Sequence, residues 1–262
     1  MRGHGQYCPI AKGAEVLGDR WTLLIAREML HGVCRFNELE RCLPGISRSV
    51  LSQRLRHLQR VGHVIRDDDA GRPSAEYHLS PAGRDLRPVM QALGDWAATW
   101  AFGEPDPAEL DPDLVVRWIS RHLARDRLPQ RRVVIAFAVL DRSTRRYWLV
   151  IDRDDVSICR HDPGFPTDVT VRGDAEALYR VYLGDLTLEQ ARRAGRLELS
   201  GDPLAVREAP AWFAWSTFAP AVRHAEERRA AAGSVSRPPL TPPPAGLPQH
   251  RSTAARRGAP RA

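Results

Sequence analysis

The residues in this sequence best suited to chemistry are arginines and glutamines on one side of a single helix. Leu51, Leu55 and Leu58 recur at i, i+4 and i+7, which predicts a helix over about 48–60 with those three side chains in a core. At 100° per residue the opposite face carries Ser49, Gln53, Arg56 and Arg60, flanked by Val50 and Arg54. That face holds no acid. Arginine and glutamine both form paired hydrogen bonds to base edges, as a helix lying in the major groove of DNA requires. Arg48, Ser49, Val50 and Gln53, in the first turns, are the candidate base readers, and Arg54, Arg56 and Arg60 are candidate phosphate contacts.

Other chemistries lack a handle. The four cysteines, Cys8, Cys34, Cys42 and Cys159, form no CxxC pair, which argues against a zinc ribbon, a thioredoxin-like centre or a disulfide scaffold. The nine histidines show no HExxH or similar spacing, and no nucleophile elbow, P-loop or dinucleotide fingerprint occurs. Asp152, Asp154 and Asp155 cluster without the spacing of a calcium loop, and a polar turn explains them. No catalytic residue, metal site or cofactor is assigned, and the expectation is a protein that is not an enzyme. The longest apolar run, Val133–Leu140, is far short of the ~20 residues a membrane span needs. Residues 1–20 have no apolar signal-like segment, so a cytoplasmic protein without membrane contact is expected.

The elements around the arginine-bearing helix give it a setting. Cys8-Pro9 opens a short helix to about Leu17, and Asp19 is placed to cap a second over Arg20–Leu30. Asn37 with Glu40 three residues later reads as a capping box for a third. Pro44-Gly45 ends that helix, and Ser47 caps the arginine-bearing one. Two short strands, His63–Arg66 and Glu76–Leu79, flank a polar turn whose tip carries Arg72, a further candidate for DNA. Ser80-Pro81 then supplies a cap and an N1 proline for one long helix to about Trp100. Helix, tight turn, helix and hairpin make a winged helix-turn-helix.

Charge and composition divide the rest. Residues 1–102 carry a net +3, residues 103–230 a net −1, and residues 231–262 a net +5 from five arginines and no acid. The predicted organisation is a DNA-binding domain over 1–102, a Pro-rich linker over 103–110, a second domain over 111–224 and a disordered Pro/Arg-rich tail over 225–262.

The first domain resembles the HxlR-type winged helix-turn-helix regulators. The resemblance rests on Tyr7-Cys8-Pro9-Ile10, Gly18-Asp19-Arg20-Trp21-Thr22-Leu23-Leu24-Ile25, Arg35-Phe36-Asn37-Glu38-Leu39 and Pro44-Gly45-Ile46-Ser47. It continues through Leu51-Ser52-Gln53-Arg54-Leu55, Tyr77-His78-Leu79-Ser80-Pro81-Ala82-Gly83 and the helix ending in Trp96. It implies a bacterial transcription factor, a homodimer whose partners are double-stranded DNA and a second copy of itself. The family's dimers form through their first and last helices, which here implies Ile10–Leu17 and Leu86–Trp100. Val89, Leu93, Trp96 and Trp100 supply an apolar stripe suited to that contact, or to closing the domain's own core. Some family members sense oxidants or aldehydes through a cysteine near the N-terminus, and Cys8 holds a matching place. A helix start and Arg20 are the features that would lower its pKa; a packed, unreactive thiol is the alternative.

In the second domain, strands are expected at Val133–Leu140, Tyr147–Ile151, Val156–Cys159, Asp168–Val171 and Arg196–Leu199. Helices are expected at Asp113–Arg127, Asp174–Leu183 and Leu188–Ala194. A last helix from Gly201-Asp202-Pro203 would carry Trp212, Phe213, Trp215 and Phe218. This α+β order resembles a sterol-carrier-protein-like domain, most closely in Asp168-Val169-Thr170-Val171, Gly184-Asp185-Leu186-Thr187 and Gly195-Arg196-Leu197-Glu198-Leu199-Ser200-Gly201-Asp202. Such domains wrap an apolar tunnel and are not catalytic by themselves. The resemblance implies an apolar small-molecule effector, with Trp118, Phe137, Trp148, Leu183, Trp212 and Trp215 as candidates to line its cavity. The reading is a dimeric regulator on an inverted-repeat operator. A Cys8-based sensor with a structural second domain is the alternative, and a lipid-binding or lipid-processing protein is the third.

Overall fold

The computed structural model describes residues 4–68, 75–141, 143–153 and 155–231. The first domain is built from α1 (Pro9–Leu17), α2 (Thr22–Leu30), α3 (Phe36–Cys42), α4 (Arg48–Arg60), the antiparallel pair β1 (Val64–Asp67) and β2 (Glu76–Leu79), α5 (Pro81–Arg84) and α6 (Arg87–Trp100). Ile25, Leu39, Leu51, Leu55 and Leu58 are buried together at its centre, so the apolar stripe of α4 faces inward as its spacing requires. Gly45, at φ +81, makes the turn between α3 and α4, a conformation that favours glycine. Ser47 Oγ accepts from the Val50 amide and caps α4.

Three local expectations fail for physical reasons. Asp19 does not head α2; its Oδ1 accepts from the Trp21 amide at 3.0 Å and the helix starts at Thr22. Asn37 lies inside α3, whose N-cap is Arg35, so no capping box forms there. The long helix over 81–100 is two helices. Pro88 has no amide proton and its ring would clash with the carbonyl four residues back, so the chain breaks at Asp85-Leu86 and restarts as α6.

The second domain begins with α7 (Pro112–Arg121), where Asp111 accepts from the Asp113 amide. It continues through β3 (Val133–Leu140), β4 (Thr144–Asp152), β5 (Asp155–Cys159), β6 (Val169–Asp174), α8 (Ala175–Leu183), α9 (Leu188–Arg193), β7 (Leu197–Gly201), α10 (Pro203–Glu208) and α11 (Ala219–Ala231). The five strands form one sheet in the order β5-β4-β3-β6-β7, antiparallel except for β3 beside β6. Val133, Ile135, Phe137 and Val139 alternate onto one face with Tyr147, Leu149 and Ile151 of β4, and the helices cover that face.

Two further expectations are corrected by the structure. The aromatic segment is not helical: a 3-10 turn over Ala209–Trp212 leads into extended chain, which runs antiparallel to Leu123 at Phe213. The predicted tail begins too early, because α11 runs on to Ala231 with Val222 and Ala225 buried. Residues 232–262 lie outside the described residues.

Candidate nucleic-acid interface

On α4 the side chains sort by depth. Ser49, Gln53, Arg56 and Arg60 are exposed on the face away from the leucines. Gln53, Arg56 and Arg60 line one open groove with Gln59, which sequence reasoning misses because its angle on the helix places it at the edge of the outer face. Arg56 stays extended along the helix, donating to Ser52 Oγ at 2.7 Å. Val50 is half-buried and packs on the core, so it presents less of itself outward than its helical position suggests.

Arg48 and Arg54 are held elsewhere. Arg48 donates to Glu40 at 2.5 Å and to Asn37 at 3.2 Å, with its guanidinium over the Phe36 ring. It ties the first turn of α4 to α3. Arg54 pairs with Asp19 Oδ2 at 2.8 Å and its side chain is only 22% exposed. From the flank of the outer face, where the helical spacing puts it, its guanidinium turns toward the start of α2. Asp19 thus serves two elements at once, one oxygen on the Trp21 amide and the other on α4. Arg72 lies outside the described residues; below that tip Arg66 pairs with Asp68 at 2.8 Å.

The apolar stripe on α6 does not close a core. Val89, Leu93, Trp96 and Trp100 are 45–57% exposed, and Tyr7 and Ile10 at α1 are exposed beside an N-terminal helix with no buried residue. Cys8 sits at the N-cap of α1, where the backbone amides of Ala11 and Ile10 hold its thiol below the usual range. Arg20 takes no part and instead covers the Trp21 ring. Burial pushes the thiols of Cys34 and Cys42 up.

The two domains are bolted together. Glu28 of α2, fully buried, accepts from Arg121 of α7 at 2.7 Å and pairs with Arg27 at 2.8 Å. Burial alone would raise its pKa, but the two guanidiniums outweigh that and hold it below the usual carboxylate range. Arg27 lies over the Trp118 ring, His31 meets His122 edge-on at 5.3 Å, and His122 Nδ1 is 3.2 Å from the Tyr182 hydroxyl. Burial, then the neighbouring His122 and Arg121, push His31 down to about 4.

Of the six residues expected to line a cavity, the structure brings two together. Phe137 and Trp215 border a space of about 10 Å³, along with Ile119, Val171, Leu178 and Phe213. Trp118 stacks on Tyr182 at the domain junction, and Trp212 is core. Leu183 is partly buried at the core margin. Trp148 is on the other face of the sheet, opposite Ala136, because it is one residue out of phase with Tyr147 and Leu149. Ligand pockets usually hold ~300–1,000 Å³, so this space is closed to an organic molecule as it stands.

A model of the HxlR-like helix-turn-helix family matches residues 16–104, and one of the SCP-2 sterol transfer family matches residues 119–209. YvaP of Bacillus subtilis, named an uncharacterized HTH-type transcriptional regulator, is 38% identical over 108 residues, which is 40% of this chain and 96% of that protein. The chain belongs to the HxlR-like helix-turn-helix family. This HxlR-like protein is therefore a transcriptional regulator with a helix-turn-helix DNA-binding domain, joined to a sterol-carrier-type second domain. A Mycobacterium bovis regulator, Mb3122, is 46% identical over 88 residues, 33% of this chain and 55% of its own length, so the match spans about half of that relative. Among solved structures, the reduced form of the regulator YodB from B. subtilis is 33% identical, covering 38% of this chain and 99% of that one, at a TM-score of 0.33. Among the described residues, no helix of the HxlR-like chain is long and apolar enough to cross a membrane, and no cluster could hold a metal ion.

Proposed function

We propose that this HxlR-like regulator acts in the cytoplasm as a homodimer on an inverted-repeat operator, with α4 of each protomer in the major groove. The acid-free, exposed face of Ser49, Gln53, Arg56 and Arg60 carries the proposal. Gln53 and Ser49 read bases, Arg56 and Arg60 hold phosphates, and Arg54 and Arg48 fix the helix against α2 and α3. The exposed stripe of Val89, Leu93, Trp96 and Trp100, with Ile10, is the dimer contact. The second domain grips α2 through Glu28 and Arg121, so a change in it reaches the DNA-binding half. An apolar effector acts there only by opening its closed interior, and must favour one arrangement of the protein over another.

Selection of genomic fragments by the full-length protein tests this reading. The expected result is an enriched inverted repeat with half-sites about one or two helical turns apart. Enrichment of single half-sites, or none above salt-sensitive background, would contradict it. The position of Cys8 at the start of α1 favours a second reading in which that thiol is the sensor. In that case Cys8→Ser abolishes the response of operator binding to oxidant or aldehyde, and a surviving response removes the reading.

A further inference from the structure

The helices of the second domain cover one face of its sheet, and the centre of the other face stays open to solvent. Val133, Ile135, Phe137 and Val139 of β3 point into the core, while Ala136, Ala138 and Leu140 point the other way and are half-buried. On that outer face the register sets Ala136 between Trp148 of β4 and Thr170 of β6, and Ala138 between Arg146 and Arg172. The small side chains of β3 thus floor a shallow trough, with a half-buried indole and two exposed guanidiniums along its rims. Val134 and Val150 are buried at one end of it, and Leu140 lies at the other.

The charge on the rims is hardly answered within the chain. The Arg146 side chain has no ion pair or hydrogen bond among the described residues. Arg172 meets Glu198 at 3.9 Å, with both side chains more than half exposed. Elsewhere in the domain arginines are tied down: Arg132 to Asp152, Arg160 to Asp113, Arg180 to Glu176 and Asp185, and Arg196 to Asp174.

We infer that this outer face binds an amphipathic helix of another protein, one with acidic residues on both flanks of its apolar side. An apolar floor inside a charged rim, with tryptophan and arginine at its edges, has the make-up of a protein interface. A nucleic acid lying on a sheet stacks its bases on aromatic side chains, and the strands put a single one, Trp148, on this face. Charge excludes two occupants from within the protein. Residues 232–262 carry five arginines and no acid, and a second copy would set the same arginines against each other. The rims, β4 and β6, stand two strand spacings apart, about 9.5 Å, which is close to the ~10–12 Å width of a helix. Apolar side chains of the partner would settle on Ala136, Ala138 and Trp148, and its carboxylates on Arg146 and Arg172. No residue of α4 or of the closed interior takes part, so the inference stands or falls apart from the operator reading.

The test uses the full chain and a synthetic helical peptide about four turns long, stapled on its outer side, with leucine and alanine along one face and glutamate on both flanks. Its control has lysine in place of every glutamate. In calorimetry the acidic peptide is expected to bind at least about ten-fold more tightly than the control. The double variant Arg146→Glu with Arg172→Glu should invert that preference, and Trp148→Ala should weaken the acidic peptide about ten-fold. Equal affinity for both peptides, binding of neither, or an unchanged preference in the charge-reversed variant would overturn the inference. So would single-stranded oligothymidylate that displaces the peptide and binds more tightly, which would make the face a nucleic-acid site. A change of oligomeric state in the charge-reversed variant would overturn it in favour of a second copy.

Discussion

The two domains use their apolar residues in opposite ways. The helix-turn-helix domain leaves four large side chains of α6 and two near α1 open to solvent. The sterol-carrier-type domain turns its large residues inward until about 10 Å³ is left among them. An exposed stripe on a small domain is a surface awaiting a partner, because a contiguous apolar patch is costly to leave in water. A sealed interior, by contrast, makes its aromatic residues part of the fold first. Trp212 and Phe137 are core here, whatever their counterparts line in other domains of this type.

That contrast gives an order of effects. The largest is expected where the domains join. Glu28→Ala leaves the largely buried guanidinium of Arg121 without its carboxylate partner, and should cost about 3–5 kcal/mol of stability. Thermal unfolding of the full chain should then show two transitions in place of one, and a single unshifted transition would mean that the pair does not join the domains. Next comes the interior. Trp212→Ala should cost about 3–5 kcal/mol, since a fully buried indole leaves a cavity behind. Trp96→Ala on the exposed stripe should change monomer stability by no more than about 0.5 kcal/mol while abolishing the dimer in sedimentation. If those two substitutions destabilise alike, the distinction between the stripe and the sealed interior is wrong.

Smaller differences separate residues on α4. Arg56→Ala should weaken binding to all DNA sequences and lower the salt dependence by about one unit, with folding unchanged. Arg54→Ala should instead lower thermal stability, because Asp19 Oδ2 loses its partner, and reduce DNA affinity only through the misplaced helix. A variant Arg54→Ala that unfolds like the wild type but loses one unit of salt dependence would restore it as a phosphate contact. The smallest effect is expected from acid. His31 is held near 4 against an ordinary 6.5, so the folded chain binds fewer protons than the unfolded one between those values. Stability that depends on His31 staying neutral in its desolvated place beside His122 and Arg121 is therefore present above about 6.5 and lost as the pH falls toward 4. Unfolding midpoints of the wild type and His31→Phe, compared at pH 7 and pH 5, should show a smaller acid loss in the variant.

Much of this architecture is legible in the sequence where information is local. The leucines of α4, the cap at Ser47, the β3 alternation and the turn glycine at 45 depend on neighbours within a few residues. The features that escape such reading mostly depend on distant ones. Pro88 is the local exception, since the apolar stripe around it has the period of one continuous helix and masks the break. The Arg54–Asp19 pair joins residues thirty-five positions apart, and nothing in the helical spacing separates it from a phosphate contact. Phe218 presses on Gly94 from farther along the chain still, and neither residue alone announces the other. α11 reads as tail because its composition is continuous with the segment after it; its buried side is only Ala219, Val222 and Ala225, too small to mark a stripe.

That the outer face of α4 reads DNA sequence is tested most directly by one comparison. It sets the affinity of Gln53→Ala for the selected operator against its affinity for the same operator with each half-site position changed in turn. Discrimination is predicted to fall by about 1–3 kcal/mol at a single base position per half-site, while affinity for unrelated DNA and thermal stability stay those of the wild type. Unchanged discrimination at every position, in a variant that folds normally, would contradict the assignment of α4 as the reading helix.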